Sequence, residues 1–403
     1  MNFMHFLSGL GKNIAGPILF VLIALCPVFS KASYFYTGVY LNPFVASKSY
    51  KVNEILNAAK KGLINTVIID MKDDFGNLRF NSKNPIAQKV NAVKPLFNVR
   101  EMLDSLHAYN IRVVARLVCF KDGKAAHYSN YGITDKEGGL WYDYGKMAWM
   151  DPYNKKVWDY LYSIMNELYE IGFDEIQLDY VRFPTDGALS RCRYPSWNGK
   201  KEEAIAGFLK YINTKREFPI QIDVFGYACW YVLKREGQDI SKMTPYVDIV
   251  SPMLYPSHFA PQFQKYVDDN YRSYYIYFLS IKHGMSMASK SVKFIPYIQA
   301  FGWKAPLFGE DYIILQMMGA LEAGAEGFFF WNAGGNYTVL FNALSSFSMG
   351  SKDSIGVRRK SFLRSQMDHT EYLERQSLYK SFPHNGIHTM LRKIVHSILQ
   401  MKD

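Results

Sequence analysis

Between residues 36 and 332 the chain alternates, eight times over, between a short apolar run and a longer stretch with helical spacing. The short runs fall at 38–42, 67–73, 113–120, 175–181, 220–225, 249–255, 294–300 and 327–332. Runs of this kind read as strands buried on both faces, which is the condition of strands in a parallel sheet covered by helices. The clearest helical stretch carries Val157, Trp158, Leu161, Ile164, Met165, Leu168 and Ile171 on one side. Asp151 is its expected N-cap, Pro152 its first helical residue and Gly172 its stop. Further helices are predicted over 52–61, 99–109, 202–215 and 311–323. Eightfold strand–helix alternation predicts an α/β chain closed into a (β/α)8 TIM barrel, one domain over residues 36–345. The competing doubly wound open sheet would carry a G-x-G-x-x-G after its first strand, and this chain has none there. It also has no P-loop, no H-E-x-x-H and no internal repeat.

Composition matters for two exclusions. With 49% hydrophobic and 21% charged residues the chain is globular rather than disordered. Its net charge of +11 suggests nucleic acid until it is partitioned. Residues 1–32 hold two lysines and no acid, residues 350–403 hold ten basic and five acidic residues, and the other 317 hold 35 and 31. The excess sits in the ends, so no nucleic-acid partner is expected for the barrel. The four cysteines form no metal-binding spacing, and Cys119 and Cys229, at strand ends, are expected to be free and buried. No cofactor and no resident metal are expected.

The ends read differently from the middle. Residues 14–29 are almost wholly apolar and are followed by Ser30-Lys31-Ala32. That run has the length of an export-signal core and is short for a bilayer span. Residues 1–32 are therefore expected to direct export to the periplasm, cell envelope or medium, with cleavage near Ala32; the alternative is an uncleaved anchor. Residues 346–403 form a basic tail. Within it Met390, Leu391, Ile394, Val395, Ile398 and Leu399 make one helical stripe flanked by Arg392, Lys393 and Lys402. Such a stripe suits peripheral contact with an anionic membrane, docking on the barrel, or a loose end.

In a barrel, alternate strand residues face inward and active sites sit at the C-terminal strand ends. The polar residues here share that parity. Asp70 and Lys72 fall on one face of the second strand, and Arg116 on one face of the third. Gln177 and Asp179 do so in the fourth, Gln221 and Asp223 in the fifth, Ser251 and Tyr255 in the sixth, and Tyr297 and Gln299 in the seventh. The eighth ends in Trp331-Asn332. An inward charge is costly unless it is paired or reaches a wet mouth. These residues therefore form either a buried ion-pair network or a site built from Asp70, Lys72, Arg116, Asp179 and Asp223.

The run from Gly172 to Pro184, with Phe173-Asp174-Glu175-Ile176-Gln177, Asp179-Tyr180 and Arg182-Phe183-Pro184 inside it, is the most specific motif. With Gly38-Val39-Tyr40, Asp70-Met71-Lys72-Asp73-Asp74 and Asp151-Pro152, it resembles a glycoside hydrolase family of secreted bacterial TIM barrels, long classed as a domain of unknown function. The resemblance spans residues 36–345. It implies a TIM barrel acting on a polysaccharide.

Glycoside hydrolysis generally uses two carboxyl groups across the scissile bond, one of them with a raised pKa. Asp179 ends the fourth strand, where amylase-like and α-galactosidase-like barrels place their nucleophile. It is assigned that role. The fifth strand offers Asp223 as the acid, with Asp70 or Asp73 in reserve. This departs from both patterns, which place a Glu after strand 5 or an Asp after strand 6. Lys72, Asp73, Arg116, Arg182, Tyr255, Gln299, Trp331 and Asn332 are the expected substrate-binding residues. A non-catalytic glycan-binding or envelope scaffold on the same fold is the rival reading.

Overall fold

The computed structural model describes residues 34–263 and 269–349. The predicted export segment and the amphipathic stripe of the tail lie outside the described residues. Among the described residues, no helix is long and apolar enough to cross a membrane.

Among the described residues, nine strands run parallel: β1 Tyr36–Leu41, β2 Thr66–Lys72, β3 Arg112–Val118, β4 Glu175–Asp179, β5 Ile220–Phe225, β6 Ile249–Met253, β7 Lys293–Phe294, β8 Tyr297–Gln299 and β9 Gly327–Trp331. They pair in the order β5-β4-β3-β2-β1-β9-β8-β6, β7 also pairs with β6, and a β5–β6 ladder closes the barrel. β7 and β8 are two halves of the seventh barrel strand. Pro296 separates them because it has no N–H to give to the ladder, although its carbonyl still accepts from Phe329 N at 3.0 Å. The (β/α)8 architecture is therefore as the alternation predicts.

The long helices are α1 Ser49–Lys60, α2 Val99–His107, α3 Lys155–Ile171, α4 Lys201–Asn213, α5 Asp269–Met287, α6 Glu310–Ala323 and α7 Thr338–Met349. After β5 the α-helix is reduced to one turn, Ile240–Met243, between 3-10 turns at Gly226–Cys229 and Thr244–Tyr246. α3 ends at Gly172, whose φ of 123° is open to glycine and strained for other residues. Its start corrects the sequence reading. Asn154, not Asp151, is the N-cap, with its side chain accepting from Lys156 N. The Asp151 carboxylate instead accepts from Tyr153 N at 3.0 Å and Ser196 N at 2.8 Å. It ties the turn before α3 to the loop after β4. α5 was not anticipated. Tyrosines and apolar residues occur all round it, so it shows no single stripe, and it packs so closely on α6 that a Cβ at Gly319 would stand 2.3 Å from the Tyr274 carbonyl oxygen.

Two apolar layers hold the barrel. Val67, Ile69, Met71, Val113, Leu117, Ile176, Leu178, Ile222 and Val224 face outward and are buried beneath the helices. Ile68, Val114, Ile249, Ile295, Tyr297 and Phe329 fill the interior. Each such side chain contributes about 1.5–3 kcal/mol on burial. Gly38 makes room for Phe329, since a Cβ there would lie 2.7 Å from that ring. Cys119, Cys192 and Cys229 are free and buried.

Candidate active site

The inward-facing polar residues form two layers. In the lower one, Tyr36 donates to Glu175 Oε1 at 2.7 Å, and Arg112 pairs with the same oxygen. Gln221 donates to Glu175 Oε2. Gln177 donates to Gln221 at 2.9 Å, and Tyr297 donates to Gln177 at 2.5 Å. Glu175, Gln177 and Gln221 are fully buried, and every polar atom of their side chains has a partner. This layer is a closed floor.

The upper layer is the charged one. Arg116 places Nη1 on Asp70, Nη2 on Asp179 and Nε 3.7 Å from Asp223 Oδ2. The barrel register explains the convergence. Asp70 pairs with Arg116, and Gln177 pairs with both Arg116 and Gln221. Asp179 and Asp223 follow two residues on in their strands, on the same face. Asp70 takes a second hydrogen bond from Tyr40 at 2.6 Å. Tyr40 stacks on Trp331 with ring centroids 3.7 Å apart, and the Arg116 guanidinium lies 5.2 Å from the Trp331 centroid. Asp179 Oδ1 accepts from Tyr180 N at 2.5 Å, and Tyr180 has a φ of 51°, a left-handed conformation uncommon for a bulky residue. The chain thus makes a strained turn directly after Asp179.

Asp70 and Asp179 are 6% exposed and Asp223 is 1% exposed. Among the described residues, Arg116 Nε, Asp223 Oδ1 and Ser251 Oγ are buried without a hydrogen-bond partner, and Asp223 and Ser251 are register neighbours. Burial pushes the Asp223 pKa well up, and the neighbouring Asp179 charge adds to the effect. Burial also raises the Asp70 pKa, against the opposing pull of Arg116 and the Tyr40 hydroxyl. Burial works against the Arg116 charge, but Asp70 and Asp179 hold the guanidinium ionised. One cation, Arg116, serves three carboxyl groups.

Four predicted binding residues lie elsewhere. Lys72 does not enter the barrel: a register irregularity between Asp70 and Lys72 sets Lys72 opposite outward-facing Leu117. There it is fully buried, 2.8 Å from Asp122 Oδ2 and 2.7 Å from the Val118 carbonyl oxygen. Asp73 accepts from Phe75 N, Asn77 and Arg79 and shapes the loop after β2. Gln299 is held by Ser257 N, Phe301 O and Trp303 O. Asn332 braces the last loop through Ala300 O and Gly334 N. Each is engaged in loop contacts, because a polar residue at a strand end serves the turn as readily as the mouth.

Three others stay with the cluster or its rim. Trp331 is half-buried beside Arg116. Tyr255 packs edge-on against Phe301, and the charges of Asp223, Asp179 and Arg116 reach its hydroxyl. Arg182 lies over the rings of Tyr180, Phe225 and Trp149 at 4.6, 4.8 and 5.0 Å, and burial lowers its pKa. The sequence reading gave no role to His258, an exposed ring 5.3 Å from Tyr255 and 5.5 Å from Trp303. Its loop position carries no periodic signal. Exposed Phe44, Phe75, Tyr144, Trp197, Tyr231 and Trp303 stand in the six connections that follow β1 to β5 and β8. Among the described residues, no group of His, Cys, Asp and Glu has the arrangement of a metal site.

Comparison with known proteins agrees with the fold. A family profile described as "Putative glycosyl hydrolase domain" matches residues 38–337. A hypothetical protein from Ruminiclostridium thermocellum ATCC 27405 is 34% identical over 46% of this chain and 97% of its own, with a TM-score of 0.44. The PgaB (BpsB) glycoside hydrolase domain from Bordetella bronchiseptica is 11% identical over 77% of this chain and 98% of its own, at a TM-score of 0.55. The endo-1,4-beta-D-mannanase of Thermotoga petrophila RKU-1 is 14% identical over 74% and 88%, at 0.50. At such identities the last two show a shared fold and nothing finer. No curated protein matches the chain.

Proposed function

Because the chain belongs to the family described as "Putative glycosyl hydrolase domain", we propose that it is an exported hydrolase of glycosidic bonds in a polysaccharide, working through paired carboxyl groups. The observation that carries this reading is the unequal treatment of neighbouring Asp179 and Asp223. Asp179 is ion-paired to Arg116 and accepts a backbone hydrogen bond, which suits an ionised carboxylate. Asp223 is buried with one oxygen unpartnered and its pKa pushed well up, which suits a carboxylic acid. A buried carboxyl with a raised pKa beside an ion-paired carboxylate matches the acid and base roles of glycoside hydrolysis.

In this reading Asp223 protonates the leaving glycosidic oxygen. Asp179 acts from the ionised side, as nucleophile or as base on water. Asp70 is the reserve acid, more exposed than Asp223 and also raised in pKa. Trp331, stacked on Tyr40, offers a face for the sugar ring. The exposed aromatics of six loops suit a chain longer than one sugar. Export rests on the apolar run 14–29 and the Ser30-Lys31-Ala32 that follows it.

A second reading is favoured by one observation. Arg116 engages both Asp70 and Asp179, as it would in a glycan-binding scaffold whose acids only stabilise the barrel. One experiment separates the two. The full chain is incubated with a broad polysaccharide panel, and reducing ends are measured beside an Asp179→Asn variant. Release by the wild type and none by the variant supports the hydrolase. Glycan binding by both proteins, with no release by either, supports the scaffold. N-terminal sequencing of protein recovered outside the cytoplasm tests export.

A further inference from the structure

Between the loop that leaves β4 and the start of α4 lies an open cavity of about 440 Å³, lined by Tyr153, Trp197, Lys200, Lys201, Glu202 and Lys234 among others. None of the four residues of the charged cluster lines it. Both of its walls belong to the C-terminal face, where the loop after β4 descends directly from Asp179.

The lining is a built one. Glu202 is 9% exposed, lines the cavity and makes no side-chain hydrogen bond or ion pair among the described residues. Its carboxylate opens on the cavity, where it can accept from a ligand hydroxyl. Lys200 and Lys234 are exposed at the cavity and carry no ion pair or side-chain hydrogen bond among the described residues. Lys201 is fixed: its ammonium donates to Arg235 O at 3.0 Å and lies 4.9 Å from the Phe183 ring centroid. α4 begins with no side-chain cap, and its first residues, Lys201 and Glu202, line the cavity. Tyr153 is held in place through its hydroxyl, which donates to Gly199 O at 2.9 Å. Trp197 is 67% exposed and offers a free ring face.

Three ammonium groups and a helix N-terminus against one carboxylate select an anion. An open indole beside them selects a flat apolar face, and an unpartnered carboxylate selects hydroxyl donors. A sugar that carries a carboxylate has all three. We propose that this cavity is a subsite for a uronic-acid unit of the glycan, so that the substrate class is an acidic polysaccharide. The proposal rests on the glycan-directed reading above and adds to it a charge preference and a second point of attachment.

The test is calorimetric titration of the full chain with an oligogalacturonate, a neutral manno-oligosaccharide of equal length, and inorganic phosphate. Substitutions are Lys200→Glu with Lys234→Glu, and Trp197→Ala; all three positions are exposed, so folding is not at risk. The expected result is preferential binding of the oligogalacturonate, weakened by added salt and roughly tenfold by either variant, and unchanged in Asp179→Asn. Equal binding of the neutral oligomer, no change in the variants, or no oligogalacturonate binding overturns the proposal. So does phosphate that competes at equal concentration, which would assign the site to a free anion. A wild type that hydrolyses a neutral polysaccharide and shows no acidic preference overturns this inference alone. Acidic binding without hydrolysis of any substrate overturns only the catalytic reading.

Discussion

Arg116 Nε stands 3.7 Å from Asp223 Oδ2, and neither Arg116 Nε nor Asp223 Oδ1 has a hydrogen-bond partner among the described residues. The guanidinium directs its two terminal nitrogens at Asp70 and Asp179 and leaves Asp223 at its far edge. Asp223 is therefore the carboxyl with most to gain from a proton.

That asymmetry has a pH signature. Asp223 has a folded-state pKa above its unfolded one, so its contribution to stability is fully present below the ordinary carboxylate range and is lost as pH rises through the raised value. Asparagine at this position has no such loss. The melting temperature of Asp223→Asn, relative to wild type, is expected to climb as pH rises above the ordinary carboxylate value of about 4 and through the raised one. A difference that stays flat with pH would show that Asp223 is ionised like a surface carboxylate.

Replacing Arg116 with methionine strands its carboxylate partners. Removal of one member of a buried ion pair costs about 3–5 kcal/mol. Urea unfolding at neutral pH should show a loss of that order, and adding Asp179→Asn to the same protein should recover part of it. Full additivity of the two changes would mean that the pair is not coupled.

On an active substrate, Asp179→Asn should lower kcat at least roughly a thousandfold while glycan affinity stays near wild type. Retention of most of the activity would remove Asp179 from the chemistry and leave it as an anchor for Arg116.

Lys72 offers the opposite test. Its ammonium is buried against Asp122, outside the barrel interior. Lys72→Met should cost about 3–5 kcal/mol of stability. At temperatures where the variant remains folded, glycan affinity should not move. A selective loss of affinity would return Lys72 to the site.

The sequence carried the barrel and much of the cluster because strand parity is a simple rule. Asp70, Arg116, Asp179 and Asp223 lie on the face that the two-residue period assigns them. Parity failed at Lys72, where one irregular step in the β2–β3 ladder changes the side it faces, and no local letter marks such a step. It also could not separate Gln299 and Asn332, which serve loops, from residues that serve a ligand, because both kinds end strands. α5 was hidden by its own burial: with tyrosines on several sides it lacks the stripe that reveals a surface helix. The cavity beside α4 is assembled from three chain segments with no motif between them.

The floor beneath the cluster gives the molecule a direction. Tyr36, Glu175, Gln221, Gln177 and Tyr297 form an unbroken ladder of hydrogen bonds across the barrel, and two of its rungs are amides. An amide side chain fixes its neighbours but does not relay a proton as a hydroxyl or water does. Exchange between Asp223 and bulk solvent must then run through the mouth. A polymer lying across that mouth would isolate the carboxyl with whatever proton it held on arrival, and the pH at the moment of capture, rather than during residence, would set the state of the bound complex.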